Sequence, residues 1–364
     1  MAEDYIFTEN MTVGYGKMPL ISQIEIHVKR GQIVTLIGPN GAGKSTILKS
    51  IIRQIDLLEG AVYLDRTSMK DMTEKQVARR MSVLMTERIR PELMTCEDVV
   101  ATGRYPYTGR LGILGRDDHE KVREAMELVH AGDLGGRDFM EISDGQKQRI
   151  LLARAICQDP EAIVLDEPTS FLDIRHKLEL LTILKNLVRK KQVAVLMSLH
   201  ELDLAQKLSD YIVCVNGDAI ERWGTPEEIF TSPYITQLYG ISKGSYHAEL
   251  GCLEMEPVKG KPEVFVIGGN GSGIPVYRKL QRRGIPFAAG IIHENDIDYP
   301  VARALAAEVV SEAPFELIKE GTYERAAALL GSCKRVICCI KDFGPVNEKN
   351  RCLAELGKHK EKII

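Results

Sequence analysis

The chain has 364 residues and a formal net charge of −3, with 44% hydrophobic and 27% charged residues. These values are ordinary for a globular protein, and the near-neutral balance excludes the large basic field typical of nucleic-acid binders. The length favours two domains. No apolar run reaches the roughly 18 residues that a membrane-spanning helix needs, and the acidic start at residues 1–4 predicts no signal peptide. We therefore expect a cytosolic protein that contacts a membrane only through a partner.

The N-terminal part alternates strand-like and helix-like segments around glycine turns, which predicts an α/β domain with a largely parallel sheet. The predicted strands are 33–37, 81–85, 162–165, 193–197 and 211–215. The predicted helices are 73–80, 119–131, 145–156, 175–190 and 201–208. The segment 88–157 is mainly helical and resembles an insertion into the α/β pattern.

A second α/β unit follows the polar segment 256–262, whose prolines and glycine are typical of a linker. Its predicted strands are 264–267, 287–292 and 335–340, and its predicted helices are 274–283, 299–309, 323–331 and 347–356. We therefore expect one domain at residues 1–255, a linker at 256–262 and a smaller domain at 263–364.

The most informative motif follows the predicted strand 33–37 and has the pattern G-x-x-x-x-G-K-[ST], which is a nucleotide phosphate loop in this strand–loop–helix setting. Glycines let backbone N–H groups surround phosphate oxygens, and the helix N-terminus adds a favourable dipole. Lys44 would reach the β- and γ-phosphates, and Ser45 would bind magnesium. The motif residues are Gly38, Pro39, Asn40, Gly41, Ala42, Gly43, Lys44, Ser45 and Thr46.

Two carboxylates, Asp166 and Glu167, end the apolar strand 162–165. With a phosphate loop upstream, Asp166 would hold magnesium through water. Glu167 would orient and polarise the water that attacks the γ-phosphate. The pair therefore predicts hydrolysis of a nucleoside triphosphate.

The segment 142–149, Ile-Ser-Asp-Gly-Gln-Lys-Gln-Arg, opens a helix just before these carboxylates. Here the chain resembles the ATP-binding cassette (ABC) ATPases, whose signature usually reads L-S-G-G-Q, and the resemblance extends over about residues 1–255. It implies an ABC-type P-loop NTPase fold, with a RecA-like core and a helical subdomain, that uses ATP and Mg²⁺. It also implies a head-to-tail dimer in which the signature residues of one copy, Ser143, Gly145 and Gln146, cover the ATP of the other. Asp144 replaces the usual first glycine, and its charge should weaken phosphate binding slightly unless it points away.

Further residues match the family. The segment Ser170–Asp173 resembles the loop that crosses the dimer interface, which assigns Asp173 to the nucleotide site. His200 resembles the histidine that contacts the γ-phosphate, and Tyr15 the aromatic residue that stacks on adenine. The family normally has a magnesium-contacting glutamine after strand 81–85. Thr86 followed by Glu87 stands there instead. Thr86 would reach the metal only through water, and the alternative is that Glu87 substitutes for the glutamine with added negative charge.

The sequence Gly103-Arg104-Tyr105-Pro106 is similar to that of ATPase subunits of importers for iron–siderophore complexes, haem and cobalamin. This resemblance implies permease subunits as partners, a substrate-binding protein outside the membrane and a position at the cytoplasmic face. The alternatives are a soluble ABC ATPase of translation or DNA repair, a non-hydrolysing binding module and the ATPase of an exporter. One phosphate loop with one signature argues against the translation factors, which carry two cassettes.

The second unit begins with a glycine loop, 268–273, of spacing G-G-x-G-x-G, which suggests a Rossmann-like dinucleotide fold. Glu294 and Asp296 end the next strand, where a ribose-binding acid would sit. We expect a regulatory ligand or nucleotide sensor, with a structural or dimerising domain as the alternative. The eight cysteines include no C-x-x-C pair and are expected to be free thiols. A redox or metal cluster of Cys333, Cys338 and Cys339 is the alternative.

Overall fold

The computed structural model describes residues 4–85, 91–109, 111–248 and 250–359. The chain forms two compact units, residues 1–234 and 235–364. The predicted linker at 256–262 lies within the second unit, and the functional boundary between the domains stays a prediction. Over the described residues, no helix combines the length and the apolar character that crossing a membrane requires.

The elements of the first unit alternate between strands and helices, as the sequence predicts. Its strands are β1 (Asp4–Tyr15), β2 (Met18–Ile24), β3 (His27–Lys29), β4 (Ile33–Ile37), β5 (Glu59–Leu64), β6 (Thr67–Ser68), β7 (Met81–Leu84), β8 (Ala162–Asp166), β9 (Ala194–Ser198), β10 (Tyr211–Asn216) and β11 (Ala219–Gly224). Its helices are α1 (Lys44–Ile51), α2 (Glu74–Arg80), α3 (Cys96–Ala101), α4 (Arg116–Leu128), α5 (Asp144–Cys157), α6 (Ile174–Lys191), α7 (Leu202–Leu208) and α8 (Pro226–Ile229), and α9 (Ser232–Leu238) crosses into the second unit.

The strands of the first unit form two sheets. An antiparallel sheet has the order β2-β1-β5-β6, with β3 also paired to β1, and a mainly parallel sheet has the order β11-β10-β4-β9-β8-β7. Strands β4, β8 and β9 are buried at every position, which explains their continuous apolar sequences. Because β4, β8 and β9 are neighbours and parallel, their carboxyl ends meet at one edge of the sheet. The loops that carry the predicted nucleotide motifs therefore start side by side.

The residues Gly103 and Arg104 join the helical part together. A Cβ added to Gly103 would lie 2.4 Å from the Arg154 carbonyl oxygen, so only glycine lets this turn approach α5. The Arg104 side chain donates to Asp118 Oδ1 and to the Cys157 carbonyl oxygen, both at 2.9 Å, and lies 4.0 Å from the ring centroid of Tyr107. The G-R-x-P sequence thus has a packing role within this unit.

We expect Arg104→Ala to lower the free energy of unfolding by about 2–4 kcal/mol, because it leaves a poorly solvated carboxylate and a buried carbonyl without their partner. The Gly115 amide and then Arg104 lower the pKa of Asp118. A carboxyl with a depressed pKa stabilises the fold above its unfolded pKa, and this contribution is lost as the pH falls through the folded value. The difference in stability between parent and variant should therefore shrink in acid below about pH 4.

The midpoints of urea unfolding at pH 7 and in acid measure this difference. The control is Arg175→Ala, which breaks an exposed ion pair with Glu179 and should change stability by less than about 0.5 kcal/mol. Equal effects of the two variants would contradict the structural role of Arg104.

The second unit is a parallel sheet with helices on both faces. Its strands are β12 (Ser245–His247), β13 (Cys252–Glu254), β14 (Val264–Ile267), β15 (Phe287–His293), β16 (Glu308–Glu312) and β17 (Arg335–Cys338), and its helices are α10 (Ile274–Arg282), α11 (Asp298–Leu305), α12 (Glu320–Ser332) and α13 (Glu348–Leu356). Strands β16-β15-β14-β17 are parallel in this order. Helices α10 and α11 pack on one face and α12 and α13 on the other, which is a Rossmann-like arrangement.

The structure bears on two expectations from the sequence, a helix of this unit and the cysteines of the whole chain. The predicted helix 299–309 ends at Leu305, and residues 308–312 form the edge strand β16 instead. None of the eight cysteines forms a disulfide bond in the described structure, and Cys333 is buried whereas Cys338 is exposed. The part of the chain that the structure describes holds no group of three or more His, Cys, Asp or Glu side chains arranged to bind a metal.

Candidate functional site

The phosphate loop follows β4 and leads directly into α1, as predicted. Its backbone is left-handed or strained at Gly38, Gly41 and Gly43, with φ values of 147°, 79° and 93°, which glycine adopts readily. A Cβ added to Gly38 would lie 2.0 Å from the Val215 carbonyl oxygen. Glycine is therefore required at Gly38. The loop leads into the N-terminus of α1, where backbone amides and the helix dipole suit the phosphates of a nucleotide.

Lys44 follows the loop glycines as the first residue of α1 and is 5% exposed. Its ammonium group donates to the carbonyl oxygens of Gly38 at 2.7 Å and Pro39 at 2.9 Å. Burial lowers the pKa of Lys44, while Glu167 and Asp166 act in the opposite direction. A desolvated cation held by two carbonyl groups gains strongly from phosphate oxygens, which carry full negative charge.

Ser45 and Asp166 meet where α1 begins and β8 ends. The Ser45 hydroxyl donates to Asp166 Oδ1 at 3.1 Å, and the Ser198 hydroxyl donates to the same oxygen at 2.7 Å. A hydroxyl and a carboxylate supply the oxygen ligands that Mg²⁺ prefers, with phosphate and water completing its shell. The structure thus brings together two of the three predicted metal residues. Thr86 lies outside the described residues.

Glu167 and His200 form a hydrogen-bonded pair through Oε1 and Nε2. The Ser170 hydroxyl donates to Glu167 Oε2 at 3.2 Å, and the Glu167 amide donates to Ser198 Oγ at 3.0 Å. Glu167 also has a φ of 49°, an unfavourable value for a side-chain-bearing residue that surrounding contacts must maintain. The carboxylate is thereby fixed beside the carboxyl edge of the sheet, and its role as a general base stays a prediction.

Ser198 and Glu201 belong to this site, although the sequence reasoning did not select them. Glu201 accepts from Thr169 at 2.8 Å and from Lys177 at 2.6 Å. Burial would raise the pKa of Glu201, but these two hydrogen bonds lower it overall. Glu201 joins the segment after Glu167 to the segment after His200. Their positions in the sequence could have identified them, because Ser198 ends β9 and Glu201 directly follows His200.

The signature residues form the N-terminal cap of α5. The Gln146 amide donates to Ser143 Oγ at 3.3 Å, and the Ser143 amide donates to Gln146 Oε1 at 3.0 Å, which is a capping box. Asp144 lies in the first turn and is exposed. A Cβ added to Gly145 would lie 3.7 Å from Leu172. Ser143 and Gln146 are therefore hydrogen-bonded to each other, and Leu172 of the predicted dimer loop lies beside Gly145. They form a group distinct from the hydrogen-bonded Ser45 and Asp166.

Asp173 and Tyr15 are both exposed on the first unit. Asp173 caps α6 by accepting from the His176 amide at 2.9 Å. The Tyr15 hydroxyl shares a hydrogen bond of 3.1 Å with the Thr46 hydroxyl, and Tyr15 is 61% exposed. Its ring therefore lies beside the first turn of α1 and is accessible for stacking, and adenine contact stays a prediction.

Known families match this chain in both of its units. The family model described as ABC transporter matches residues 21–170, and the MJ0874 family model matches residues 287–364. The uncharacterized ABC transporter ATP-binding protein MJ0873 of Methanocaldococcus jannaschii is 39% identical over 285 residues, which cover 78% of this chain and 98% of that protein. The iron(3+)-hydroxamate import ATP-binding protein FhuC of Bacillus subtilis is 34% identical over 234 residues, which cover 64% and 87%. The dimeric cassette structure of MJ0796 superposes with a TM-score of 0.55 at 24% identity, over 61% of this chain and 98% of that one, and shows the shared fold.

The fold and the phosphate-loop site define an ATP-binding P-loop NTPase of the cassette type. The chain belongs to the ATP-binding proteins of ABC transporters, and as a member of that family it is an ATPase. The expected resemblance and fold class are confirmed. The additional C-terminal region is present and belongs to a family of its own.

Proposed function

We propose that this protein is the ATP-hydrolysing subunit of an ABC importer for iron–siderophore, haem or cobalamin ligands. The observation that carries the proposal is the assembled site of Lys44, Glu167 and His200. It lies in a chain that is 34% identical over 234 residues to a relative named as an import ATP-binding protein. We assign the ABC domain to residues 1–255 and the accessory domain to 263–364.

In this proposal the phosphate loop binds the triphosphate. Ser45 would hold Mg²⁺ as a ligand, and Asp166 and Thr86 would hold it through water. Bound Mg²⁺ would neutralise charge on the phosphate oxygens. Glu167 accepts a proton from the attacking water, and His200 holds the Glu167 carboxylate in place through their hydrogen bond. Tyr15 stacks on adenine.

Two copies associate head to tail around two ATP molecules. Ser143, Gly145 and Gln146 of one copy contact the γ-phosphate held by the other, and the exposed loop that ends at Asp173 crosses between them. ATP binding closes the dimer and moves two membrane permease subunits, and hydrolysis opens it. The protein thus works at the cytoplasmic face of the membrane, and a substrate-binding protein on the other side delivers the ligand.

Co-purification tests this assignment. The tagged full-length Glu167→Gln variant would be isolated from detergent-solubilised membranes of its native host in the presence of ATP and Mg²⁺. A multi-span permease in stoichiometric amount is expected, followed by loss of ferric hydroxamate, haem or cobalamin uptake when the gene is deleted. Recovery only from the soluble fraction with ribosomal or DNA-bound partners would overturn the transport assignment. Export of the same ligands would overturn the assignment of the protein to an importer.

The Asp144→Gly substitution tests the signature contact. Removing a carboxylate near the partner's γ-phosphate removes a like-charge repulsion of about 1 kcal/mol at each of the two ATP sites. The total is about 2 kcal/mol, so the ATP-driven dimer should form about 30-fold more tightly. Sedimentation of the Glu167→Gln variant with and without Asp144→Gly measures this. Asp117→Gly, in the first turn of α4, is the matched control and should leave dimerisation unchanged. An unaltered or weaker dimer in Asp144→Gly would mean that this carboxylate points away from the nucleotide.

A further inference from the structure

A cavity of about 370 Å³ lies in the second unit at the carboxyl edge of its parallel sheet. It opens between the loops that follow β14, β15 and β17, and strand order reverses between β14 and β17. Such switch points are where open α/β sheets bind ligands. The volume is at the lower end of the range of small-molecule sites.

The backbone amides of the glycine loop before α10 already donate hydrogen bonds to carboxylates of the same unit. The fully buried Asp298 accepts from the amides of Gly273 at 2.9 Å and Ile274 at 3.2 Å. Asp296 accepts from the Asn270 amide at 2.8 Å and 3.0 Å. These amides are the donors that a pyrophosphate would use in a dinucleotide fold. A phosphate group would therefore have to displace two carboxylates and approach their negative charge.

The glycines of this loop are explained by packing within the unit. A Cβ added to Gly268 or to Gly273 would lie 2.3 Å from the Tyr277 hydroxyl oxygen, and at Gly273 also 2.8 Å from Asp298. Tyr277 is completely buried. The G-G-x-G-x-G spacing thus accommodates Tyr277 and Asp298, and it does not mark a pyrophosphate site.

The remaining cavity combines apolar walls with amide and carboxylate groups. Cys339 and Ile340 are partly exposed apolar residues of its wall, and Asn270 and Asp296 lie at the side of the glycine loop. An apolar wall beside amide groups suits a nucleobase, since the amides can pair with its polar edge. Asp296 follows the second strand of the fold, where dinucleotide-binding proteins carry the acid that binds ribose hydroxyls.

The two acids predicted from the sequence, Glu294 and Asp296, have different surroundings in the structure. Asp296 lines the cavity. Among the described residues, its Oδ2 accepts a bond from the Asn270 amide alone, so a lone pair is left for a hydroxyl donor. Glu294 instead accepts from Tyr299 at 3.4 Å and from Ser311 at 3.2 Å, next to β16. Of these two acids, Asp296 is the one that lines the cavity.

We infer that this cavity binds a nucleoside without phosphate groups. The base lies against the wall that contains Ile340, and the ribose hydroxyls donate to Asp296. This site is separate from the ATP site of the first unit and differs from it in chemistry, because carboxylates stand where a phosphate-binding fold exposes its amides.

Calorimetric titration of the full-length chain tests the inference, with Mg²⁺ and saturating ADP added to fill the ATP site of the first unit. The probes are adenosine, guanosine, cytidine and uridine, with NAD⁺ as the phosphate-bearing comparison. One nucleoside should bind with one site per chain. Its 2′,3′-dideoxy analogue should bind about tenfold more weakly, because it lacks the donors to Asp296.

Asn270→Gly probes the base contact without disturbing the loop. Asn270 has a φ of 52°, which suits glycine, and the amide bonds to Asp296 remain. This variant should weaken nucleoside binding about tenfold. The matched control is Asn10→Gly in the first unit, with a φ of 46°, which should bind as the parent does. The inference would be overturned by the absence of binding for all four nucleosides at millimolar concentration, by tighter binding of NAD⁺, or by unchanged affinity in Asn270→Gly.

Discussion

Glu167→Gln is expected to lower the turnover of ATP at least about 100-fold, because an amide cannot accept the proton of the attacking water. The fold at this position should persist. Glutamine Oε1 can still accept from His200, and the amide of residue 167 still donates to Ser198 at 3.0 Å. ATP binding should therefore survive, and an ATP-bound dimer should accumulate. Single-turnover hydrolysis and sedimentation in the presence of ATP and Mg²⁺ measure the two effects.

The matched control for this experiment is Glu161→Gln, just before β8, whose other end carries Glu167. Glu161 forms an exposed ion pair with Arg30, so its loss should change stability by less than about 1 kcal/mol and leave turnover at the parent value. A Glu167→Gln variant that hydrolyses ATP at the parent rate would show that another group accepts the proton. A variant that loses ATP binding together with turnover would show that Glu167 serves binding instead.

The nucleotide site was predictable because its residues form local patterns. The phosphate loop, Asp166 and Glu167 each follow a short apolar run that the structure forms as β4 or β8. Since carboxyl ends of parallel strands meet at one edge, the sequence also implied that these motifs lie close together. The contacts of Ser198 and Glu201 depend on long-range pairing between β8 and β9, and no local pattern carries that information.

The antiparallel sheet and β16 were harder to predict. Strand β1 has register shifts against β2, β3 and β5, and such bulges interrupt the simple alternation by which a strand is found in a sequence. Residues 308–312 follow α11 after a short turn, so their apolar positions seemed to continue the helix. In the second unit the glycine spacing suggested a dinucleotide site, whereas the buried side chains of Tyr277 and Asp298 supply its physical cause.

Lys44→Ala is expected to weaken ATP binding at least about 100-fold, which corresponds to about 2.7 kcal/mol. The ammonium is buried and already desolvated, as the lowering of its pKa by burial indicates, so most of its interaction with the phosphate oxygens appears as affinity. In the protein without nucleotide, the change removes a buried cation but leaves the carbonyl oxygens of Gly38 and Pro39 without their donor. These effects oppose each other, and the melting temperature should change by only a few degrees.

Equilibrium binding of ATP with Mg²⁺ to parent, Lys44→Ala and Lys207→Ala separates this role from a general effect of charge. Lys207 lies on α7 and is exposed, with only an i,i+4 pair to Asp203, so its removal should leave affinity within about twofold. An affinity of Lys44→Ala within threefold of the parent would mean that the backbone amides of the loop bind the triphosphate almost alone. The same measurement at rising ionic strength distinguishes the two sources, because a buried cation is screened by salt far less than the exposed charges around the site.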